Sequence, residues 1–300
     1  MSLSRWSAFD LPDLRGHTAM VTGANSGIGR MAALALARAG ATVTLAVRGT
    51  TKGKTAAAGM SGDVTVRHLD LADLASVRSF AGAIEGPINL LVDNAGVMAT
   101  PEQRTVDGFE MQIGTNHLGH FALTNLLLPR ITDRVVVVWS VAHRNGRIDL
   151  EDLNWQHRPY KAWDAYSQSK LANLLFVLEL QRRLTEAGST VRAVAAHPGF
   201  AATNLAGRTA SPISNFFMAV ANRLVAQSDT MGALPTLYAA TADIPGGTYI
   251  GPDAFGHLRG HPAVDTPASQ ALDTKAARRL WELSEQLTGV VWPLSPHTST

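Results

Sequence analysis

The segment between residues 18 and 40 most constrains what this 300-residue chain can fold into. A short apolar run, Thr18–Thr22, leads into a glycine-rich turn, and an Ala- and Leu-rich stretch then continues to Gly40. A phosphate-binding loop requires this order of strand, glycine turn and helix. Glycines let the backbone approach a pyrophosphate, and the helix N-terminus supplies N–H donors. The segment therefore predicts a dinucleotide site, with an ordinary turn as the alternative. The candidate binding residues are Gly23, Asn25, Ser26, Gly27, Ile28 and Gly29.

The end of the second predicted strand, residues 41–47, bears on which nucleotide binds. In a dinucleotide fold this strand end meets the adenosine ribose. An acidic residue there suits the 2′-hydroxyl of NAD, whereas an Arg suits the 2′-phosphate of NADP. Here Arg48 follows the strand and Lys52 is close behind, with no carboxylate between residues 41 and 52. The pattern favours NADP, and the alternative is that Arg48 is a solvated loop residue.

Predicted strands and helices alternate along the remaining chain. The strands are expected at 64–69, 89–92, 134–139, 190–196 and 248–250, and the helices at 73–84, 106–128, 164–187, 229–242 and 269–287. Four consecutive valines before Trp139 indicate a strand buried on both faces. The alternation predicts an α/β fold, a single doubly wound Rossmann domain over residues 1–300. Its mostly parallel, seven-stranded sheet is expected in the order 3-2-1-4-5-6-7, with helices on both faces. Residues 1–15 are predicted to form an N-terminal extension, 204–228 a substrate-covering segment and 290–300 a frayed tail.

Polar and small residues follow several predicted strands, at the end where open parallel sheets bind ligands. Asp70 follows the third strand, where it can accept a hydrogen bond from the adenine amino group, and a turn or helix-capping role is an equal alternative. Small residues after the fourth strand leave room for a ligand, and Ser140 stands after the fifth. The candidate cofactor-binding residues of the third and fourth strand ends are Asp70, Leu71, Asn94, Ala95 and Gly96.

A predicted helix carries Tyr166 and Lys170, which are four residues apart and therefore share one helix face. A phenol has a pKa of about 10, and a nearby ammonium lowers it. The pair is thus a candidate general acid and base. By itself the spacing also fits a solvated helix face.

Together, these features resemble the short-chain dehydrogenase/reductase family. The resemblance covers residues 22–203: the glycine motif, a variant of the Asn-Asn-Ala-Gly motif at 93–96, and Pro198, Gly199 and Thr203 as the nicotinamide-side motif. It implies a catalytic tetrad of Asn116, Ser140, Tyr166 and Lys170. The sequences around Ser140, Tyr166 and His197 look like the retinol dehydrogenase-like reductases, a branch that includes relatives of light-dependent protochlorophyllide reductase. Two positions depart from the family pattern: Asp93 replaces an Asn, and Trp139 replaces a Ser and is expected to narrow the site.

The resemblance implies an NADP(H)-dependent oxidoreductase that transfers hydride between nicotinamide and a carbonyl or alcohol carbon. Tyr166 is expected to exchange the oxygen-bound proton, Lys170 to lower its pKa and bind the nicotinamide ribose, and Ser140 to stabilise charge on the substrate oxygen. Asn116 is expected to hold a water that connects Lys170 to solvent. Subunit pairing through the helices that carry Asn116 and Tyr166, as a homodimer or homotetramer, is also implied.

Composition narrows the function further. A net charge of +2, without a run of Lys and Arg, is no nucleic-acid footprint, and the absence of cysteine excludes a disulfide framework and thiolate chemistry. The histidines at 117, 143 and 197 are scattered and without evident carboxylate partners, so they are interpreted as packing residues, and no metal is expected. Ser140 lacks the Gly-x-Ser-x-Gly elbow of a hydrolase. The first residues lack the apolar core of a signal peptide, and no apolar run reaches the roughly 20 residues of a membrane span. A cytoplasmic protein is therefore expected.

Two alternatives stay open at this stage: an NAD-dependent alcohol or steroid dehydrogenase, and a regulator that binds NADP(H) without turnover. Residues 141–163 and 204–227 are rich in Trp, Phe, Met and Leu. They are expected to line a pocket for a small apolar carbonyl or alcohol substrate, or alternatively to pack a subunit interface.

Overall fold

The protein is built on one twisted sheet. The computed structural model describes residues 5–199 and 228–294, and within them the strands lie in the order β3-β2-β1-β4-β5-β6-β7-β8. Neighbouring strands from β3 to β7 are parallel, which confirms the predicted order, whereas β8 runs antiparallel to β7 and was not predicted. The strand bounds are Thr18–Thr22 (β1), Thr42–Val47 (β2), Val64–His68 (β3), Ile88–Asp93 (β4), Ile131–Val138 (β5), Arg192–Ala196 (β6), Tyr249–Ala254 (β7) and Arg259–Val264 (β8).

The helices cover both faces of this sheet. Their bounds are Gly27–Arg38 (α1), Thr50–Ala58 (α2), Leu74–Gly82 (α3), Met111–Ile113 (α4), Gly119–Leu127 (α5), Ala162–Glu186 (α6), Asp229–Thr241 (α7) and Thr274–Thr288 (α8). Short 3-10 turns lie at Ala8–Asp10, Leu128–Arg130, Val141–Asn145 and Ser269–Leu272.

The predicted helix over 106–128 is wrong at its start and in its regularity. Residues before Met111 form a turn, because Gly108 has a φ of +84° and Arg104 bridges Glu110 in an antiparallel manner. The buried Glu110 carboxylate then accepts the N–H groups of Gln112 and Ile113 and so begins the helix. Between α4 and α5 the chain makes a π-helical turn over Gly114–Leu118.

Two apolar cores flank the sheet. Val135 and Val137 of β5 face the core formed with α3, α5, α6 and α8, whereas Val136 faces the core formed with α1, α2 and α7. All three side chains are at most 1% exposed. The valine run therefore lies in a strand buried on both faces, as the sequence predicts.

The C-terminal helix α8 packs across α5 and α6. The ring of Trp281 lies 4.9 Å from that of Phe121 and is stacked on Phe176 at 5.7 Å. Trp292 packs edge-on against Trp281, so the first part of the segment predicted as a frayed tail is ordered on the core. Across the described ranges, no helix is long and apolar enough to cross a membrane.

Candidate functional site

The glycine turn after β1 packs closely against the turn after β4. Gly23 and Gly27 have φ values of +66° and +56°, which glycine adopts without strain. A Cβ on Gly29 would lie 2.3 Å from Asn94 Nδ2, and a Cβ on Gly23 would lie 3.0 Å from Ala95. The two predicted cofactor-binding motifs, the glycine turn and residues 94–96, are therefore in direct contact.

Thr22 joins these two turns and was missed as a site residue. Its Oγ1 accepts the N–H groups of Asn94 and Ala95, both at 2.9 Å, and Asn94 Nδ2 donates to the Thr22 carbonyl at 2.8 Å. Thr22 Oγ1 also lies 2.9 Å from His120 Nε2. Its place at the end of a strand, directly before the glycine turn, was the available signal.

The N-terminus of α1 is open to an anion. Ser26 occupies the N-cap position but its side chain makes no capping hydrogen bond, and no acidic residue lies in the first turn. The N–H groups and the positive end of the helix dipole are thus available to a phosphate. Arg48 is exposed directly after β2, and Lys52 is exposed at the start of α2.

Asp70 and Leu71 have local roles beside this cradle. Asp70 Oδ1 accepts the Ala72 N–H at 3.0 Å, which is the turn role that the sequence left as an alternative to adenine binding. Leu71 is buried, and a Cβ on Gly119 would lie 2.4 Å from its carbonyl oxygen. The loop after β3 is therefore held against the start of α5.

Asn116 lies in the π-helical turn, with its side chain fully buried. Its amide oxygen accepts the Val97 N–H at 2.8 Å, and its amide nitrogen donates to the Val97 carbonyl and to Ser169 Oγ, both at 2.9 Å. His120 Nδ1 lies 3.1 Å from the Asn116 carbonyl oxygen. Asn116 thus ties the turn after β4 to α6.

Lys170 reaches the same place from α6. Its ammonium is buried and donates to the Val138 carbonyl at 3.2 Å. A Cβ on Gly96 would lie 3.6 Å from Lys170 Nζ and 3.1 Å from Asn116 Oδ1, so Gly96 keeps this space open. Burial lowers the pKa of Lys170 to about 8.

Tyr166 and Ser140 meet at the mouth of this region. Burial raises the pKa of Tyr166 to about 12, and a hydrogen bond with Ser140 lowers it only in part. Lys170 Nζ lies over the Tyr166 ring, 5.8 Å from its centroid. The sequence led us to expect that Lys170 lowers the pKa of Tyr166, whereas in the structure burial is the largest influence on the phenol and raises its pKa. Trp163 packs edge-on against Tyr166 at 6.0 Å and is 46% exposed.

Asp93, the departure from the Asn-Asn-Ala-Gly pattern, is buried under the cradle. Thr124 Oγ1 donates to Asp93 Oδ2 at 2.7 Å, and Oδ1 has no hydrogen-bond partner in the described structure. Burial raises the pKa of Asp93 to about 7, with the Thr124 bond lowering it in part. The carboxyl group of Asp93, which replaces the amide of the family pattern, thus receives only one hydrogen bond.

Trp139 lies under the site rather than in it. It is 1% exposed, and its ring packs 4.7 Å from His143 and 4.3 Å from His197. The bulk that was expected to narrow the site therefore fills the core behind Ser140.

The histidines at this end of the sheet bridge distant segments. His143 Nδ1 lies 2.9 Å from the Ser140 carbonyl oxygen, and its Nε2 accepts the Ala268 N–H at 3.0 Å. His197 Nε2 lies 2.8 Å from Asp265 Oδ2. The expectation that these histidines lack carboxylate partners is therefore wrong for His197. Over the residues that the structure describes, no group of three or more acidic, His or Cys side chains is placed to hold a metal ion.

A family model described as short chain dehydrogenase matches residues 17–213. The chain belongs to the short-chain dehydrogenase family. Retinol dehydrogenase 13 of Homo sapiens is 43% identical over 293 residues, which cover 93% of this chain and 86% of that protein. Retinol dehydrogenase 12 of Mus musculus is 39% identical over 296 residues, with coverage of 92% and 88%. The resemblance to the retinol dehydrogenase-like branch is thus confirmed.

Solved structures show the same fold. The crystal structure of an uncharacterized protein from Mycobacterium Paratuberculosis has a TM-score of 0.85 and 53% identity, and the match covers 97% of this chain and 100% of that one. A short chain dehydrogenase from Shigella flexneri 2A str. 301, complexed with NADP, has a TM-score of 0.62 and 22% identity, with coverage of 80% and 98%.

The short-chain dehydrogenase sheet brings most of the candidate residues to one edge. The glycine turn, residues 94–96, the four tetrad residues and the 198–199 turn all follow or adjoin the carboxyl ends of β1, β4, β5 and β6. Thr203 and residues 204–227 of the predicted covering segment lie outside the described residues.

A separate cavity of about 570 Å³ lies on the other side of α6. Its walls include Leu171 and Leu175, five and nine residues after Tyr166, which puts them on the opposite helix face. Arg144, Arg147 and Asp273 also line it. This cavity is not part of the tetrad region.

Proposed function

We propose that this protein is an NADP(H)-dependent oxidoreductase that reduces an apolar aldehyde or ketone. The observation that carries the proposal is the meeting of Tyr166, Ser140 and Lys170 in a buried region whose wall is the Gly96 turn. The glycine cradle and the uncapped α1 terminus beside it fit a dinucleotide. When bound, the nicotinamide supplies the hydride chemistry.

The residues of this chain orient the substrate and move its proton. Ser140 lies near enough to the Tyr166 phenol to lower its pKa in part, and it is placed to donate to the substrate oxygen, where it stabilises developing charge. Tyr166, whose phenol stays protonated near neutral pH because burial raises its pKa, donates the proton to that oxygen. Lys170 binds the ribose and favours the ionised phenol once the proton has left. Asn116 holds the Val97 backbone and Ser169 in place around them.

The preference for NADP rests on Arg48. It is exposed directly after β2, the strand end that meets the adenosine ribose in dinucleotide-binding folds, and no carboxylate stands in the stretch from residue 41 to 52. The NADP complex of the Shigella short chain dehydrogenase supports a nicotinamide cofactor, and another relative, from Burkholderia phymatum, is in complex with NAD. Because the relatives include complexes with both cofactors, the choice between NADP and NAD is tested by substitution of Arg48.

An apolar substrate is supported by two observations. Trp163 presents a half-exposed ring next to Tyr166, and the curated relatives are named retinol dehydrogenases. A retinoid-type aldehyde is thus a suitable probe alongside smaller carbonyls.

Subunit pairing through the Asn116 and Tyr166 helices stays a prediction. Within the single chain, α8 covers part of their surface through Trp281, and most residues of α5 and α6 are buried. Subunit pairing would have to use the surface of α5 and α6 that α8 does not cover.

The central experiment measures NADPH consumption with aldehydes and ketones graded by apolar size, comparing the wild type with Tyr166→Phe. We expect turnover to increase with apolar size and to fall by a factor of roughly 100–10,000 in the variant, since general acid catalysis contributes that much. Tyr160→Phe is a matched control, because Tyr160 bonds Glu110 and Gln112 away from the tetrad. Undiminished turnover by Tyr166→Phe would refute the assignment. Tight NADPH binding without turnover of any carbonyl would favour the non-catalytic regulator.

The cofactor preference is tested with Arg48→Asp. Replacing a cation with an anion beside the ribose should weaken NADPH binding and improve NADH binding, shifting the ratio of their affinities by roughly tenfold or more. Arg38→Asp, at the far end of α1, controls for the change in net charge. An unchanged ratio in Arg48→Asp would show that Arg48 is a solvated loop residue.

A further inference from the structure

The residues His197 and Asp265 form a buried pair between segments far apart in the sequence. Their side chains are 0% and 1% exposed, and His197 Nε2 lies 2.8 Å from Asp265 Oδ2. His197 follows β6 directly, and Asp265 follows β8 directly. The pair therefore links the carboxyl end of a parallel strand to the end of the antiparallel edge strand.

The hydrogen bonds on both ring nitrogens define the tautomer of His197. The Gly199 N–H donates to Nδ1 at 3.1 Å, so Nδ1 carries the lone pair and the proton resides on Nε2, which donates to Asp265. Burial lowers the pKa of His197 and keeps the ring neutral. The imidazole ring thus connects the Asp265 carboxylate to the Gly199 backbone through one hydrogen bond on each ring nitrogen.

Asp265 itself is held by further groups. The Thr266 N–H donates to Oδ1 at 2.6 Å, and His257 Nδ1 lies 3.4 Å from the same oxygen. A Cβ on Gly251 of β7 would lie only 2.1 Å from His197 Nε2 and 2.8 Å from Asp265 Oδ2, so the pair lies directly on the β7 backbone. Trp139 packs against the His197 ring at 4.3 Å. Neither side chain has room to move independently.

The backbone that this pair holds is the 198–199 turn. Gly199 has a φ of +68°, and a Cβ there would lie 2.3 Å from the Leu258 carbonyl oxygen. The turn follows β6, next to β5 in the sheet, so it lies beside Ser140. Under the proposed function, this edge of the site receives the nicotinamide.

We propose that Asp265 is a positioning residue which acts through His197 to fix the 198–199 turn against the nicotinamide half of the cofactor. The inference rests on the proposed function. The proposal gives the edge strand β8 a role in cofactor binding, because Asp265 follows β8 directly and lies against Nε2 of His197. The adenosine half, bound at the β1–β3 ends of the sheet, is outside the reach of the pair.

The test compares two ligands in each variant: NADPH, and adenosine 2′,5′-bisphosphate, which contains only the adenosine half. Asp265→Asn removes the charge at constant size. His197→Gln retains a donor toward Asp265 but has no acceptor at the place of Nδ1. Both should weaken NADPH binding by roughly tenfold and leave the bisphosphate affinity unchanged. His197→Asn, whose side-chain oxygen can accept the N–H two residues on, should lose less affinity than His197→Ala.

Glu179→Gln is the matched control. Glu179 is another buried carboxylate, 1% exposed and bound by Arg182 and Arg183, but it lies on α6 more than three turns beyond Tyr166. Its loss should lower the unfolding temperature without changing the ratio of the two affinities. That ratio separates positioning from general destabilisation.

The outcomes are distinct. Equal weakening of both ligands, or no weakening of either, in Asp265→Asn and His197→Gln would overturn the inference while NADPH binding by the wild type upholds the cofactor assignment. A wild-type protein that binds the bisphosphate but neither NADPH nor NADH would overturn the proposed function. If Asp265→Asn does not fold, the comparison of His197→Asn with His197→Ala decides the question.

Discussion

The turns after β4 and β6 lie at the same edge of the sheet but are held in different ways. After β4, small residues pack directly on the neighbouring glycine turn, and the Thr22 hydroxyl accepts two of their backbone N–H groups. After β6, the turn is held by a side-chain pair whose members are 68 positions apart. Both arrangements depend on the completed sheet, because Thr22 lies 72 and 73 positions from its partners and His197 lies 68 positions from Asp265. The first uses small residues and one hydroxyl, whereas the second uses two buried side chains.

Each turn is accompanied by a buried carboxyl, and the two respond to burial in opposite ways. Asp93 receives one hydrogen bond, from Thr124, so burial raises its pKa to about 7. Asp265 is also subject to burial, but the bonds from His197 and the Thr266 N–H outweigh it and hold its pKa below the ordinary value. The donors around Asp265 thus offset the effect of its burial, whereas the single donor to Asp93 does not.

The largest effect is expected from Gly29→Ala, which breaks the close packing after β4. The new Cβ would lie 2.3 Å from Asn94 Nδ2 and 3.0 Å from the Gly23 carbonyl oxygen, so the two turns must separate. Overpacking of this kind destabilises the folded state by about 1–3 kcal/mol. Because the shifted turns no longer present their backbone to the pyrophosphate, we expect NADPH affinity to fall by roughly 100-fold. Titration calorimetry measures it. Gly82→Ala, with open space around its Cβ position, should leave the affinity unchanged.

A smaller effect of opposite sign is expected from Asp93→Asn. The pKa of Asp93 is about 7 in the folded state and about 4 when unfolded, so its contribution to stability is present below about pH 4 and is lost as the pH rises to 7. The difference of about three units corresponds to about 4 kcal/mol. The buried N–H groups of the Asn side chain would find no acceptor, which costs about 1–3 kcal/mol and offsets part of this gain in stability. The variant should therefore be about 1–3 kcal/mol more stable than the wild type at pH 8.

Urea unfolding at pH 8 and pH 5 measures this difference, which should shrink at the lower pH. A pH-independent difference would mean that Asp93 does not titrate in the folded protein. Asp107→Asn, at an exposed carboxylate that caps α3 from outside, is the control for the loss of one charge.

The smallest effect is expected at the tip of the β7–β8 hairpin. Phe255 is 77% exposed with a φ of +52°, and Arg259 lies over its ring at 6.0 Å. Phe255→Gly should change the free energy of unfolding by less than about 0.5 kcal/mol, since relief of the positive φ offsets the lost contact. NADPH affinity should not change. A loss of affinity would show that the tip, and not the buried Asp265 pair alone, holds the 198–199 turn.

The sequence predicted the contiguous features of this molecule well. The seven parallel strands and the valine-rich β5 followed from local alternation and residue type, and their order followed from the doubly wound topology that this alternation predicts. The contact between the glycine turn and residues 94–96 was implied by the strand order.

Features that depend on distant contacts outside the predicted topology could not be predicted. Strand β8 contains Gly260 and Pro262, which are unfavourable in strands and are tolerated here at a sheet edge. The partner of His197 lies beyond that strand, so nothing near His197 in the sequence indicates it. The roles of Asp93 and Trp139 also required the fold, because a substitution does not reveal how many donors surround it or which way a ring points.

The π-helical turn over Gly114–Leu118 has a consequence for the relation between sequence length and geometry. Such a turn holds one residue more than an α-helical turn, and one residue corresponds to a rotation of about 100° around the axis. Removing a single residue from this stretch would let α4 and α5 join as one regular helix, yet it would rotate Asn116 away from Val97 and Ser169. A relative that lacks one residue in this stretch is therefore expected to direct the asparagine that corresponds to Asn116 elsewhere, even where every residue type is retained.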